Sequence, residues 1–151
     1  SVAGKKTAKC FTSKIFGYRD NNLNNWPPEY QSGQSKGKFS VQQLAKSATF
    51  KQAVESFLGV TGDISFLSQT FKERNHITTL PVIESLILRQ EAGEDVGLWT
   101  NGYANFFFVL DKDGSVSVVD AHRHGGRWDV PVDRLDHGPG WHDGHRFFFR
   151  N

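Results

Sequence analysis

The sequence has few of the residues that form covalent cross-links. It contains one cysteine, Cys10, and no methionine among its 151 residues. A lone cysteine cannot form an internal disulfide, so side-chain packing must supply the stability of the fold. Cys10 has no histidine beside it in the sequence, which favours an inert buried thiol over a nucleophile.

Long apolar runs and a strong excess of one charge are also missing. No run approaches the roughly 18 apolar residues of a membrane-spanning helix, so we expect no membrane insertion. The formal net charge of +2 is too small to indicate a nucleic-acid-binding protein by itself. A chain of this length fits a single domain, which we predict over residues 1–151.

The most informative absence is local and concerns residues 114–151, which we call the tail. The tail has none of the chain's lysines, glutamates or glutamines, yet it holds five of the six histidines and five of the ten aspartates. These short polar residues alternate with hydrophobic residues that we call the frame. The frame consists of Val116, Val118, Trp128, Val130, Val132, Leu135, Trp141, Phe147 and Phe149.

Before the tail, the sequence predicts mainly helices. Residues 1–38 are polar, with an apolar strand candidate over residues 10–18, and we expect them to wrap the core. Ser40 with Gln43, and Thr49 with Gln52, match the capping box that begins a helix. The apolar residues expected on these two helices are Val41, Leu44 and Ala45, then Ala53, Val54, Phe57 and Leu58, with Gly59 as the end of the second.

Two further helices are predicted before the periodicity changes. Asp63 begins one that ends near Asn75. Residues 77–80 read as a short extended piece, followed by a helix with Pro81 in its first turn and Gly93 at its end. His76 lies at the junction and is interpreted as a surface or junction histidine.

From Leu98 onward the apolar period is that of strands. The runs NFFFVL and SVSVVDA flank the tetrapeptide DKDG, which predicts a β-hairpin. DKDG could also begin a calcium loop, but His122 stands where that loop needs its bidentate acid, so the hairpin is favoured. Residues 128–132 and 146–149 are further strand candidates. Helices followed by a mostly antiparallel sheet predict an α+β fold.

The dense histidines and aspartates of the tail leave an enzyme as one alternative. His122 and His124 alternate on one strand and could ligate an ion together with a third histidine, as in a metal-dependent hydrolase. A carboxylate and histidine could also work as an acid/base pair. No ligand-spacing motif and no nucleophile elbow accompanies these residues, so we expect no catalytic residue, metal or cofactor.

Two other interpretations concern binding and structure. Arginines and tryptophans of the tail could stack on nucleic acid, but five aspartates in the same stretch oppose the phosphate backbone, so no nucleic acid is expected. A plain structural or interaction domain of a larger assembly explains the alternation as the solvent face of a sheet. It leaves the avoidance of lysine, glutamate and glutamine unexplained.

A family resemblance accounts for that avoidance. The motifs DKDGSVSVV, Trp128-Asp-Val, Leu135, Trp141-x-x-Gly144-x-Arg146 and a final FFFRN resemble the C-terminal region of variable proteins of diversity-generating retroelements. The resemblance mainly covers residues 98–151, about a third of the chain. It implies a C-type lectin fold whose displayed side chains are rewritten by reverse transcription that miscopies template adenines. Codons AAC and AAT can then become codons for His, Asp, Gly or Arg, but never for Lys, Glu or Gln.

What the resemblance implies for function is binding without catalysis. The frame, with Gly144 and Arg146, would form the scaffold, and the tail would present a diversifiable patch to a macromolecular ligand, a protein or cell-surface target. Display on a cell surface and on a virion both stay open. The displayed ligand-binding residues would be Asp120, His122, His124, Gly125, Gly126, Arg127, Asp129, Asp133, Asp136, His137, Gly138, His142, Asp143 and His145.

Overall fold

The structure is a computed structural model that describes residues 10–25, 39–43, 49–111, 113–136 and 146–150. Across these residues it has three α-helices, one short 3-10 helix and seven strands, which confirms the predicted α+β class. The helices are α1 (Phe50–Leu58), α2 (Ile64–Glu73) and α3 (Leu80–Glu91), and the 3-10 helix is Asn21–Asn25. The strands are β1 (Phe16–Arg19), β2 (Phe39–Gln43), β3 (Asn105–Leu110), β4 (Val116–His124), β5 (Arg127–Val130), β6 (Val132–Arg134) and β7 (Arg146–Arg150).

The strands form one mixed sheet. Its order is β1-β5-β4-β3-β7-β2, and β6 also pairs with β4. The pairs β1–β5 and β3–β7 are parallel, whereas the other four pairs are antiparallel. The long strand β4 pairs with β6 near its start and with β5 near its end. The tail therefore supplies the centre of the sheet as well as one of its flanks.

Alternation along the central strands produces a hydrophobic core on each side of the sheet. Phe107 and Val119 pack with α3 in one core, whereas Phe106 and Val118 pack with α1 and α2 in the other. Residues two apart on a strand face the same side, so β3, β4 and β7 each contribute to both cores. Because both sides of the centre are covered, β3 reads as a continuous apolar run and all six of its residues are buried.

Several local predictions are confirmed. Thr49 and Gln52 form a reciprocal capping box at the start of α1, and Gly59 ends that helix in the left-handed conformation. Asp63 accepts a hydrogen bond from Phe66 N at the start of α2, and α3 has its proline in the first turn. The DKDG hairpin joins β3 and β4, and the Asp111 carboxylate accepts bonds from the turn's own N–H groups.

Two predictions about the first part of the chain are wrong. Ser40 and Gln43 do not begin a helix, because they lie in β2, which pairs with β7 along its whole length. The part of residues 1–38 that the structure describes, residues 10–25, does more than wrap the core: Phe11 and Leu23 are 1% and 0% exposed and belong to the α3 core. In both places contacts with distant residues outweigh the local pattern. Leu44 and Ala45 lie outside the described residues.

None of the helices in the described ranges combines the length and the apolar character needed to cross a membrane. Cys10 is buried, and burial together with the charge of Glu84 raises the pKa of its thiol to about 12. The thiol therefore stays protonated at neutral pH, and the predicted burial of Cys10 is confirmed.

Candidate functional site

The part of the sheet that α1 and α2 leave uncovered carries polar side chains of the tail. Phe106 is 3% exposed and pairs with Asp120, where the core on this side ends. Beyond that point the register places His122 opposite Asp129 and His124 opposite Arg127. Directly opposed residues of neighbouring strands share one face. We call this surface the polar face, and its residues are Asp120, His122, His124, Arg127, Asp129 and Asp133.

His122 lies at the centre of the polar face between two carboxylates. Its Nδ1 atom is 3.1 Å from Asp120 Oδ1, and its Nε2 atom is 3.7 Å from Asp129 Oδ2. The side chains of Asp120, His122 and Asp129 are 16%, 26% and 23% exposed. They therefore form a half-buried cluster that links β4 to β5. Each ring nitrogen of His122 therefore has a carboxylate oxygen within 4 Å.

The cluster holds its proton more tightly than free side chains do. The hydrogen bond with Asp120 raises the pKa of His122, and the charge of Asp129 adds to the effect against the opposing influence of burial. Burial raises the pKa of Asp120, and the neighbouring charges of Asp133 and Asp129 act in the same direction, although His122 opposes them. His122 and Asp120 therefore stay protonated to a higher pH than a free imidazole and a free carboxyl group do.

Strand β1 closes one flank of the polar face. The Asp129 carboxylate accepts a hydrogen bond from Tyr18 N at 2.8 Å. Gly17 makes this approach possible, because a Cβ atom there would lie 2.8 Å from Asp129 Oδ1. Asp129, which the resemblance assigns to the displayed residues, therefore also binds β1, a strand that lies outside the tail. Sequence reasoning missed this contact, because it joins residues 111 positions apart.

The turn between β4 and β5 carries the most exposed part of the surface. Gly125 and Gly126 have φ angles of +59° and +82°, the pair of positive values that a two-residue hairpin of the primed type needs. The resemblance places Gly125 and Gly126 among the interchangeable residues. The turn restricts which residues can replace them, because few side chains tolerate positive φ angles. His124 and Arg127, which flank the turn, are exposed and point from the polar face into solvent.

On the other side of the sheet, the frame is anchored to α3. Trp128 is 0% exposed, and its Nε1 atom donates to Glu91 Oε1 at 2.7 Å. Arg123 Nε donates to the same oxygen, also at 2.7 Å. The bond from Arg123, followed by that from Trp128, lowers the pKa of Glu91. Sequence reasoning missed Glu91, because nothing in its local pattern distinguishes it from other glutamates at helix ends.

The remaining predicted residues lie elsewhere. Asp136 is exposed after β6, where both its oxygens accept bonds of 3.0 Å from Arg134. Arg134 pairs with Ser117 near the start of β4, so Asp136 is at the far end of that strand from His124. The following predicted residues are outside the described part of the chain: His137, Gly138, His142, Asp143 and His145. Two scaffold residues, Trp141 and Gly144, are outside it as well.

The polar face is half-buried at its centre and exposed at its turn. Within the described residues, no three side chains of His, Cys, Asp or Glu are grouped to hold a metal ion. Comparisons of the chain with protein-family models, curated proteins and solved structures give no match. The fold is accordingly described by its own topology, as an α+β domain with a mixed sheet.

Proposed function

We propose that the protein is a ligand-binding display protein whose tail presents a diversifiable surface patch to a protein or cell-surface target. One observation carries the proposal: the tail divides by burial, since its described frame residues belong to or pack against the two cores and its described displayed residues are half-buried or exposed. Val118, Trp128 and Val130 of the frame are 0% exposed. The short polar residues between them collect on the polar face and its turn. The short polar residues can be exchanged only if the frame residues stay buried whichever side chains lie between them.

The mechanism follows from this separation. The buried frame and its two cores hold the backbone rigid, so affinity depends on which short side chains occupy the surface and on a few anchors. His124 and Arg127 are exposed and free of core contacts, so their exchange leaves packing intact. Asp120, His122 and Asp129 are half-buried, so exchange there also alters the link between β4 and β5.

We also propose that the chain has a C-type lectin-like fold and belongs among variable proteins of diversity-generating retroelements. The support is the chain order, with the three α-helices between β2 and the β3–β4 hairpin, and the last described strand β7 lying inside the sheet between β3 and β2. The motifs of the resemblance also fall on structural positions: the DKDG turn, buried Trp128 and the β7 run Arg146–Arg150.

The nucleotide sequence around the gene tests this assignment. We expect a near-copy of the segment encoding the tail, differing where the copy has adenine, beside a reverse-transcriptase gene. The differing codons should encode exposed residues such as His124 and Arg127, and the codon of Trp128 should be constant. A complete locus without such a repeat would contradict the assignment.

A metal-dependent hydrolase is the competing function, and the Asp120–His122 pair is the observation that favours it, since a carboxylate-bound histidine can act as an acid or base. The two functions differ in their need for metal. For a display protein, exhaustive dialysis against a chelator leaves the unfolding temperature unchanged. A stoichiometric zinc or iron signal that survives dialysis, with loss of stability on its removal, would favour the hydrolase.

A further inference from the structure

We propose that a cavity at the hairpin end of the sheet binds the ammonium group of a lysine side chain on a partner protein. The cavity, which we call the hairpin cavity, has a volume of about 270 Å³. Its walls are the first residue of α2, the β3–β4 hairpin and residues 134–136. The inference goes beyond the proposed function, because the cavity lies at the end of β4 opposite to His124 and the exposed turn.

The hairpin cavity has apolar walls that an alkyl chain can contact. Val116 and Leu135 are buried in the core of α1 and α2, and Ile64 packs against the same core. At about 30 Å³ per heavy atom, the volume of one water in the liquid, the four carbons and the nitrogen of a lysine side chain need roughly 150 Å³. The cavity is therefore large enough for such a chain.

Asp111 provides the charge of the hairpin cavity. Its Oδ1 atom accepts hydrogen bonds from Asp113 N at 2.9 Å and from Ser115 N at 3.0 Å, so the turn fixes the carboxylate. Its Oδ2 atom accepts from Ser117 Oγ at 3.1 Å. A carboxylate oxygen can accept more than one hydrogen bond, so Oδ2 can also accept from a ligand.

The other two charges in the lining neutralise each other. Both oxygens of Asp136 accept hydrogen bonds of 3.0 Å from Arg134. The Arg134 side chain is 84% exposed, so its guanidinium group lies toward solvent. The lining therefore has one net negative charge, on Asp111, and a single ammonium group balances it.

The charges around the hairpin cavity do not cancel this negative charge. Asp63 stands directly before α2, and Asp113 lies in the exposed turn. Lys72 Nζ lies 3.9 Å from the position of a Cβ atom on Gly114, and Lys72 is nine residues, or about 13 Å, along α2 from Asp63. Two carboxylates thus outnumber one ammonium group, so the surrounding charges also favour a cation.

The existing hydrogen bonds favour an ammonium group over a guanidinium group. A guanidinium group binds best when both oxygens of one carboxylate accept from it in parallel. Asp136 already binds Arg134 in this way, and Asp111 Oδ1 already accepts two N–H groups of the turn. An ammonium group has three donors that need not lie in one plane, so Asp111 Oδ2 and the hydroxyl groups of Ser115 and Ser117 suit it.

Methyl NMR of the full chain tests the inference, with n-butylammonium as the probe because it is the lysine side chain alone. The methyl signals of Val116 and Leu135 should shift with a Kd on the order of 1 to 10 mM. n-Butanol has the same chain without the charge and should bind at least about fivefold more weakly. n-Butylguanidinium should also bind more weakly, and a capped Gly-Lys-Gly peptide should bind at least as tightly as n-butylammonium.

Two variants test the residues of the hairpin cavity. Asp111→Asn removes the charge but keeps an oxygen for the N–H groups of the turn, and it should weaken n-butylammonium binding at least about fivefold. Ser115→Leu fills the cavity, and it decides the question if Asp111→Asn disturbs the turn. Glu94→Gln is the matched control, because it removes an exposed carboxylate that bonds to Arg89, and it should bind normally.

Four results would overturn the inference. Equal binding of n-butanol and n-butylammonium, or unchanged binding in both Asp111→Asn and Ser115→Leu, excludes an ammonium site. Shifts that do not saturate below about 100 mM exclude specific binding. Tighter binding of n-butylguanidinium shows that the site prefers the other cation, and failure of the peptide to bind excludes a lysine of a protein as the ligand. None of these results depends on exchange at the polar face, so the proposed function is left to its own test.

Discussion

At the scale of single residues, the tail contains two kinds of polar position. His124 and Arg127 are exposed, whereas Asp120, His122 and Asp129 are half-buried and linked to one another. Sequence composition places all five in one group, because alternation identifies the face of a strand but not how deeply a side chain lies. Depth depends on where the helices end over the sheet, which only the fold determines.

The protonation of His122 leads to a prediction about pH. Its folded pKa is raised above the ordinary value of 6.5, so the folded state binds the proton more tightly than the unfolded state. The resulting stabilisation is fully present below the unfolded pKa and is lost as pH rises through the folded pKa. The raised pKa of Asp120 acts in the same direction, since stability from its proton also falls with rising pH.

We therefore expect His122→Asn to lower the free energy of unfolding by about 1 kcal/mol near pH 6, with a smaller loss as pH rises past the raised pKa. Urea unfolding at a series of pH values measures this difference. His124→Asn is the matched control on the same strand and should have little effect at any pH, because His124 is exposed. A loss for His122→Asn that is equal at acidic and alkaline pH would contradict the link between the two carboxylates.

Substitution of a buried frame residue should destabilise the protein far more than substitution of an exposed tail residue. Trp128 is 0% exposed and packs in the α3 core, so Trp128→Ala should lower the free energy of unfolding by about 3 to 5 kcal/mol. Arg127→Ala, the neighbouring exposed position, should change it by less than about 0.5 kcal/mol. Chemical denaturation of the two variants provides the comparison. Similar losses for both would contradict the division between frame and displayed residues.

At the scale of elements, local signals predict the helices and long-range pairing determines the sheet. The capping box of Thr49 and Gln52 and the proline at the start of α3 are local, and both helices form where the sequence predicts them. Strand β2 has the same kind of local signal at Ser40, yet it pairs with β7, and its partner for Gln43 is Arg146. A pattern over a few residues cannot register a partner more than about a hundred positions away.

The contact between α3 and the tail strands gives a prediction for this scale. Glu91 accepts bonds from Trp128 Nε1 and Arg123 Nε, so it joins the end of α3 to β4 and β5. We expect Glu91→Ala to cost about 1 to 3 kcal/mol of unfolding free energy, since it leaves the buried indole N–H without its acceptor.

Double-mutant analysis of Glu91→Ala with Trp128→Phe, by chemical denaturation, shows whether the loss depends on that bond. The coupling energy should be about 1 kcal/mol in size. Glu94→Ala is the control, because Glu94 is exposed and bonds to Arg89 instead. Additive effects of the two Glu91 and Trp128 changes would show that α3 is not linked to the frame through this oxygen.

At the scale of the whole molecule, two cores on one mixed sheet would let the surface vary while the fold persists, as the proposed function requires. Each core is closed by its own helices, and the frame residues of the tail are divided between them. The polar face lies mainly beyond the core of α1 and α2, toward the end of β4, and the α3 core backs it on the other side of the sheet. The sequence predicts that hydrophobic frame residues alternate with short polar residues. Where along β4 the polar face begins depends on how far α1 and α2 reach over the sheet.

The central claim is that exposed tail positions are interchangeable and frame positions are not. Its most direct test compares two libraries in the same chain, one randomised at His124, Arg127 and Asp136 and the other at Val118, Trp128 and Val130, each sorted for resistance to protease. Surface substitutions of this kind usually change stability by less than about 0.5 kcal/mol, so more than about half of the first library should stay folded. Almost none of the second library should survive, since each change opens a cavity in a core. Equal survival of the two libraries would contradict the account.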